Sequence, residues 1–208
     1  MTGKEVDDVE ENLPPRAQVL HETIRVQGET ELSRTVAALG WSALAAGLSM
    51  GLSMLARALL HTHLPDEPWR FLIENLGYTV GFLVVILARQ QLFTENTMTA
   101  VLPMMSNPGF RSIYRLLRLW SVVLFGNLVG VALFAYSLGH AQVLDAEVRD
   151  VVIELGQSIM MNSALQMFTK GIVAGWLIAT MVWLIPAAQA SKILVIVLMT
   201  YLIGIGEF

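Results

Sequence analysis

The chain has 208 residues, 55% of them hydrophobic and only 14% charged, and its mean hydropathy is +0.60; an average soluble domain carries about 25% charged residues. The net charge is −4, with eight of the 17 acids in the first 31 positions, so there is no basic excess and no nucleic-acid signature. The absence of cysteine excludes disulfides and thiolate metal sites, and the composition as a whole favours a membrane protein.

Residues 1–16 are acidic, carry Pro14 and Pro15, and have little to bury, which predicts disorder. A start this polar is the opposite of a secretory signal peptide, so the first transmembrane helix is expected to direct insertion itself. Over 17–35, Val19, Leu20, Ile24 and Leu32 recur among charges with weak helical periodicity. Both an amphipathic helix on the membrane surface and a solvated helical lead-in fit that pattern. Residues 1–35 are therefore expected to form a cytoplasmic, partly disordered N-terminal segment, and residues 36–208 a transmembrane domain.

Five apolar stretches follow, and a span needs about 20 apolar residues. They run from Val36 to Leu60, Phe71 to Ala88, Leu119 to Leu138, Ala164 to Ile185, and Ile193 to Phe208. Lys4, Arg16, Arg25, Arg34, Arg111, Arg115, Arg118 and Lys192 fall in segments on one side of these spans. Arg57, Arg70 and Arg149 fall on the other. The positive-inside rule then places the N-terminus in the cytoplasm and loops 61–70 and 139–160 outside. Trp69 and Trp120 sit at predicted interfaces.

Gly47 and Gly51, Gly77 and Gly81, Gly126 and Gly130, and Gly171 and Gly175 are each four apart. That spacing puts two small residues on one helix face and predicts close helix contact. His61-Thr-His63 has the spacing of a weak metal site, with a solvated outer loop as the alternative. No metal or cofactor is expected. No nucleophile–base set and no phosphate-cradling glycine loop is visible, so no enzyme is expected.

The segment Ala88-Arg-Gln-Gln-Leu-Phe-Thr-Glu-Asn-Thr-Met-Thr99 is too polar for a span, yet apolar residues flank it on both sides. Either span two ends at Ala88 and a cytoplasmic loop follows, or the span is broken at depth and resumes as a half-helix near Asn96. Irregular backbone at depth is tolerated only where protein or a cavity surrounds it. Thr94, Asn96 and Thr97 are suitable N-caps for such a half-helix, with Pro103 near its end. Gly204-Ile-Gly-Glu207 allows a second break at the end of span five.

Leu92-Phe-Thr-Glu-Asn-Thr-Met98 resembles the LFT-x-N-T-M signature in the broken second helix of formate/nitrite transporters. Gly126-Asn127-Leu-Val-Gly130 resembles their GN-x-x-G motif on the third helix, and Phe168-Thr-Lys-Gly-Ile172 the start of their fourth. The order and spacing agree from about residue 30 to the end. The resemblance implies an all-α integral membrane fold: an aquaporin-like inverted-repeat bundle with helices 2 and 5 broken. On that resemblance, five of its spans are expected within residues 36–208, with the sixth missing.

It further implies a homopentamer in the bilayer of a bacterial inner membrane, one pore per protomer, passing small anions of weak acids with possible proton exchange. Leu92 and Phe93 fall at the family's apolar pore constrictions, and Thr94 at a Thr that faces a central His. That His would fall just after Phe208. Glu95 and Asn96 belong to the same pore segment. Thr180 stands beside Ala179, where the family has an Asn, and Lys170 lies near the outer end of span four.

Arg89 and Glu95 are unusually charged for their places. Arg89 is the candidate cation for drawing in an anion, with an ion pair to Glu95 or a snorkelling side chain as alternatives. A small-anion transporter or channel is the leading expectation. A non-conducting scaffold or fragment and a neutral-solute pore are the alternatives. Arg57, Glu74 and Glu207 are candidate interhelical partners that sequence alone does not pair.

Overall fold

The computed structural model describes residues 15–140 and 144–208, and every element among them is helical. The disorder expected for residues 1–14 lies outside the described residues. In chain order the helices are α1 (Ala17–Ser33), α2 (Val36–His63), α3 (Arg70–Glu74) and α4 (Tyr78–Leu87). Then come α5 (Phe93–Thr99), α6 (Val101–Ser106), α7 (Phe110–His140), α8 (Ala146–Met160), α9 (Ala164–Leu184) and α10 (Lys192–Ile205). Among the described residues, four units are long and apolar enough to cross a membrane: α2, α3 with α4, α7 and α9. The apolar α10 is shorter.

The α2–α7 pair is the spine of the bundle. Its contact face is built from small residues: Ala43, Gly47 and Gly51 on α2, Gly126 and Gly130 on α7. A Cβ at Gly47 would overlap the Asn127 carbonyl, and one at Gly130 would overlap the Leu44 carbonyl. The two backbones therefore approach more closely than side-chained residues allow. Gly77 and Gly81 similarly press against Arg57 and Ser53 of α2. Ser53 joins α2 to α4, its hydroxyl donating to the Tyr78 carbonyl at 2.6 Å and accepting from the Gly81 N–H at 2.9 Å. Three of the four glycine pairs thus make helix contacts. The fourth does not, because Gly171 and Gly175 face open space.

Several expected loops are helical. Arg111, Arg115 and Arg118 lie inside α7, which starts at Phe110 rather than Leu119. The reason is α1, whose C-terminal carbonyls need donors. Arg118 donates to the Leu32 and Arg34 carbonyls at 2.8 and 3.0 Å, and Arg115 pairs with Glu29 at 2.9 Å. With Leu20, Ile24, Gly28 and Leu32 buried along one stripe, α1 is docked against the bundle rather than merely solvated. Gly28 allows this, since a Cβ there would overlap the Thr99 carbonyl.

On the other side, the expected loop 139–160 contains α8, whose Val148 and Leu155 pack on Ala58. His61 and His63 belong to the last turn of α2, not to a loop. Glu74 is buried and takes Arg57 at 3.1 Å and His61 Nδ1 at 2.7 Å, so each of its oxygens has a partner and Arg57 offsets its charge. No cluster able to hold a metal occurs among the described residues. Span two is also interrupted once more than expected, between α3 and α4 at Asn75–Gly77.

Candidate functional site

The broken-span alternative is the one the structure adopts. Helix α4 stops at Leu87, and residues 88–92 are non-helical. Arg89 takes a left-handed φ of +53°. Its N–H donates to the Ile86 carbonyl at 3.3 Å, and the Gln90 N–H donates to the Val85 carbonyl at 2.9 Å. This is the Schellman termination, in which glycine is the usual left-handed residue. Helix α10 ends by the same device. Glu207 has φ +50°, its N–H donates to Gly204 at 3.2 Å, and the Phe208 N–H donates to Ile203 at 3.2 Å. Both α4 and α10 thus end on a charged residue where glycine is cheaper.

The chain re-enters a helix at Phe93, three residues before Asn96, and the N-cap is Leu92, whose side chain cannot accept. None of Thr94, Asn96 or Thr97 caps it. The acceptor comes from another helix: Asn127 of α7 takes the Phe93 N–H on its Oδ1 at 2.9 Å. The Asn127 Nδ2 donates to the Gln91 and Ala43 carbonyls, each at 2.9 Å. One buried amide therefore satisfies two backbone groups that the break would otherwise orphan, the Phe93 N–H and the Gln91 carbonyl, and ties them to the Ala43 carbonyl of α2. Gly126 and Gly130 hold it there by keeping α2 and α7 close.

Gln91 is buried at the centre of the break. Its backbone N–H donates to Ser42 Oγ at 3.1 Å, its side-chain Nε2 donates to Glu31 at 2.7 Å, and its side-chain Oε1 accepts from Asn96 Nδ2 at 3.0 Å. Glu31 is in turn paired with Arg34 at 3.0 Å. The Trp120 indole N–H donates to the Asn96 carbonyl at 3.1 Å, and the Phe93 ring meets Trp120 edge-on at 6.0 Å. Trp120 is thus a support for the half-helix.

Beside the break lies a cavity of about 340 Å³, lined by residues of α1, the break, α5 and the loop from α9 to α10. It collects Arg89, Leu92, Glu95 and Asn96 from the expected site residues, and adds Glu31, Gln91 and Lys192. Arg89 and Glu95 share the cavity but do not form a salt bridge among the described residues. One carboxylate oxygen of Glu95 and the side-chain Oε1 of Gln90 are buried without a hydrogen-bond partner.

The other expected residues lie elsewhere. Thr94 is exposed, and its carbonyl accepts from the Thr97 hydroxyl at 2.6 Å. Thr180 donates to the Trp176 carbonyl at 2.9 Å within α9. Lys170 is half-buried near the start of the same helix. Phe208 is 43% exposed and folds back over Gly206. Sequence reasoning missed Gln91 and Lys192 as site residues. A glutamine doublet between apolar runs was the available signal for the first, but nothing local marked Lys192.

A sequence profile of formate/nitrite transporters matches residues 18–208. The chain is 51% identical over 205 residues to the inner membrane protein YfdC of Escherichia coli strain K12, covering 99% of this chain and 66% of that protein. It spans between 51% and 66% of the lengths of the curated relatives it matches. A pentameric formate channel solved with formate bound superposes with a TM-score of 0.73 at 24% identity, over 83% of this chain and 69% of that one. An FNT family ion channel superposes with a TM-score of 0.78 at 21% identity, over 92% and 78%. The fold, with its broken second span, is the fold of those channels.

Proposed function

The chain belongs to the formate/nitrite transporter family, and we propose that it moves small monovalent anions of weak acids, such as formate or nitrite, across a bacterial inner membrane. The family is one of transporters and channels rather than enzymes. The observation that carries the proposal is the interrupted second span, held open by Asn127 beside a cavity that two cations line.

The physical problem is a charge in a low-dielectric wall, where a bare anion costs at least several kcal/mol. Arg89 and Lys192 raise the local anion concentration at the mouth of the break. Leu92 and Phe93 then form the apolar constriction, with Thr94 at the pore side beyond it. Crossing such a constriction is cheapest for the neutral acid, so the anion takes up a proton on the way. Lys170 and Thr180 serve the opposite half of the path, and Phe208 stands next to the family's central proton-exchanging position.

The N-terminus and α1 face the cytoplasm, as the distribution of arginines favours. The assembly is a homopentamer in the lipid bilayer, in keeping with the pentameric formate channel that shares the fold. Proteoliposome flux of formate, nitrite and glycerol tests the proposal. Saturable formate or nitrite flux with no glycerol flux is the expected result. Glycerol flux without anion flux points instead to a neutral-solute pore, and no flux from a folded oligomer to a scaffold.

A further inference from the structure

The charges around the break are few and of opposite sign. Glu31 of α1 is answered by Arg34 and by the Gln91 amide. The break contributes Arg89, the start of α10 contributes Lys192, and α5 contributes Glu95. The part of α9 that lines the cavity supplies Val182 and no titratable group. On α7, Trp120 and Asn127 face α5, while Arg115 and Arg118 are taken by α1. Two cations and one carboxyl group therefore remain without a salt bridge among the described residues, a balance of one positive charge when Glu95 is ionised.

Glu95 does more than sit nearby. One of its oxygens is buried with no hydrogen-bond partner, and it lines the same cavity as Arg89 and Lys192. A buried unpartnered oxygen costs about 1–3 kcal/mol. A neutral residue or glycine at this place would avoid that cost and leave the mouth more positive. Keeping the carboxylate makes sense where excess positive charge is itself a liability.

We propose that Glu95 is the specificity-determining residue of this cavity: its carboxylate offsets one of the two cations, Arg89 and Lys192, so that the site balances a single monovalent anion and rejects divalent ones. The role rests on the anion-transport proposal above, because selection matters only if an anion enters here. It is a form of negative selection, in which an unfavourable charge is built against the wrong ligand. The retained carboxylate is also a tethered competitor for Lys192, which keeps monovalent anions weakly held and free to leave.

The test compares the wild-type protein with E95Q, E95A and E95Q/K192Q at pH 8, where carboxylates are ionised. Formate and oxalate serve as the monovalent and divalent probes. Thermal shift in detergent measures binding, and inhibition of formate flux in proteoliposomes measures the same competition at work. E95Q and E95A should each bind and be inhibited by oxalate on the order of tenfold more tightly than wild type, with a smaller change for formate. K192Q in the E95Q background should remove the gain. Oxalate binding that is the same in wild type and both Glu95 variants overturns the proposal. Absence of formate flux from the folded wild type would sink the transport proposal instead, and the oxalate thermal shifts would still decide the role of Glu95.

Discussion

At the scale of single residues, Asn127 carries more than its motif suggests. It closes two backbone groups of the break and bonds a third, the Ala43 carbonyl, on α2, and a buried group left unpaired costs about 1–3 kcal/mol. N127L should therefore destabilise the protein by several kcal/mol, and formate flux should fall with it. N127D keeps the acceptor for Phe93 but sets a carboxylate against two carbonyls, so it should be damaged nearly as much. Melting in detergent checks both, and an N127L protein that melts like wild type would contradict the role given to the amide. Arg89 offers a separable case, because it combines a left-handed backbone with a charge at the cavity. R89G relieves the backbone and R89A does not, so R89G should be the more stable by about 1 kcal/mol. Both lose the cation and should lose anion flux to the same degree.

At the scale of elements, the glycine pairs differ in what they do. Gly130 lies against the Leu44 carbonyl and Gly47, so G130L must push α7 off α2 and should prevent accumulation of a folded protein. G171L meets open space within the chain and should leave the melting temperature within a degree or two of wild type. Equal melting of the two variants would contradict the packing described. The sequence treats all four pairs alike, because spacing reports which residues share a face and not what that face meets. The same limit explains the arginines of α7. Three basic residues ahead of an apolar run resemble a loop, and only the position of α1 shows that they close its C-terminus. Helix α8 was hidden for a related reason: its buried face is two residues wide and rests on Ala58 of a distant segment.

For the molecule as a whole, the membrane character and the break were legible because both rest on composition over many residues. A polar stretch between two apolar runs has few physical solutions, and the LFT-x-N-T-M and GN-x-x-G motifs sit on the elements the structure brings together. The cap was not legible, since the acceptor for Phe93 comes from 34 residues away in sequence. Local propensity pointed instead to Thr94, Asn96 and Thr97. The cavity was half legible. Arg89, Leu92, Glu95 and Asn96 are close in sequence, whereas Glu31 and Lys192 join them only through the docking of α1 and the turn before α10.

The chain contains no cysteine, so a single introduced thiol is unique and the wild type is its own control. Thr99 lines the cavity and is half-buried. The most direct test of the cavity as part of the anion path is formate flux through a Thr99→Cys protein before and after reaction with a charged methanethiosulfonate reagent. Complete labelling should abolish most of the flux of the variant and leave that of the wild type unchanged. Full labelling with formate flux undiminished would contradict the account.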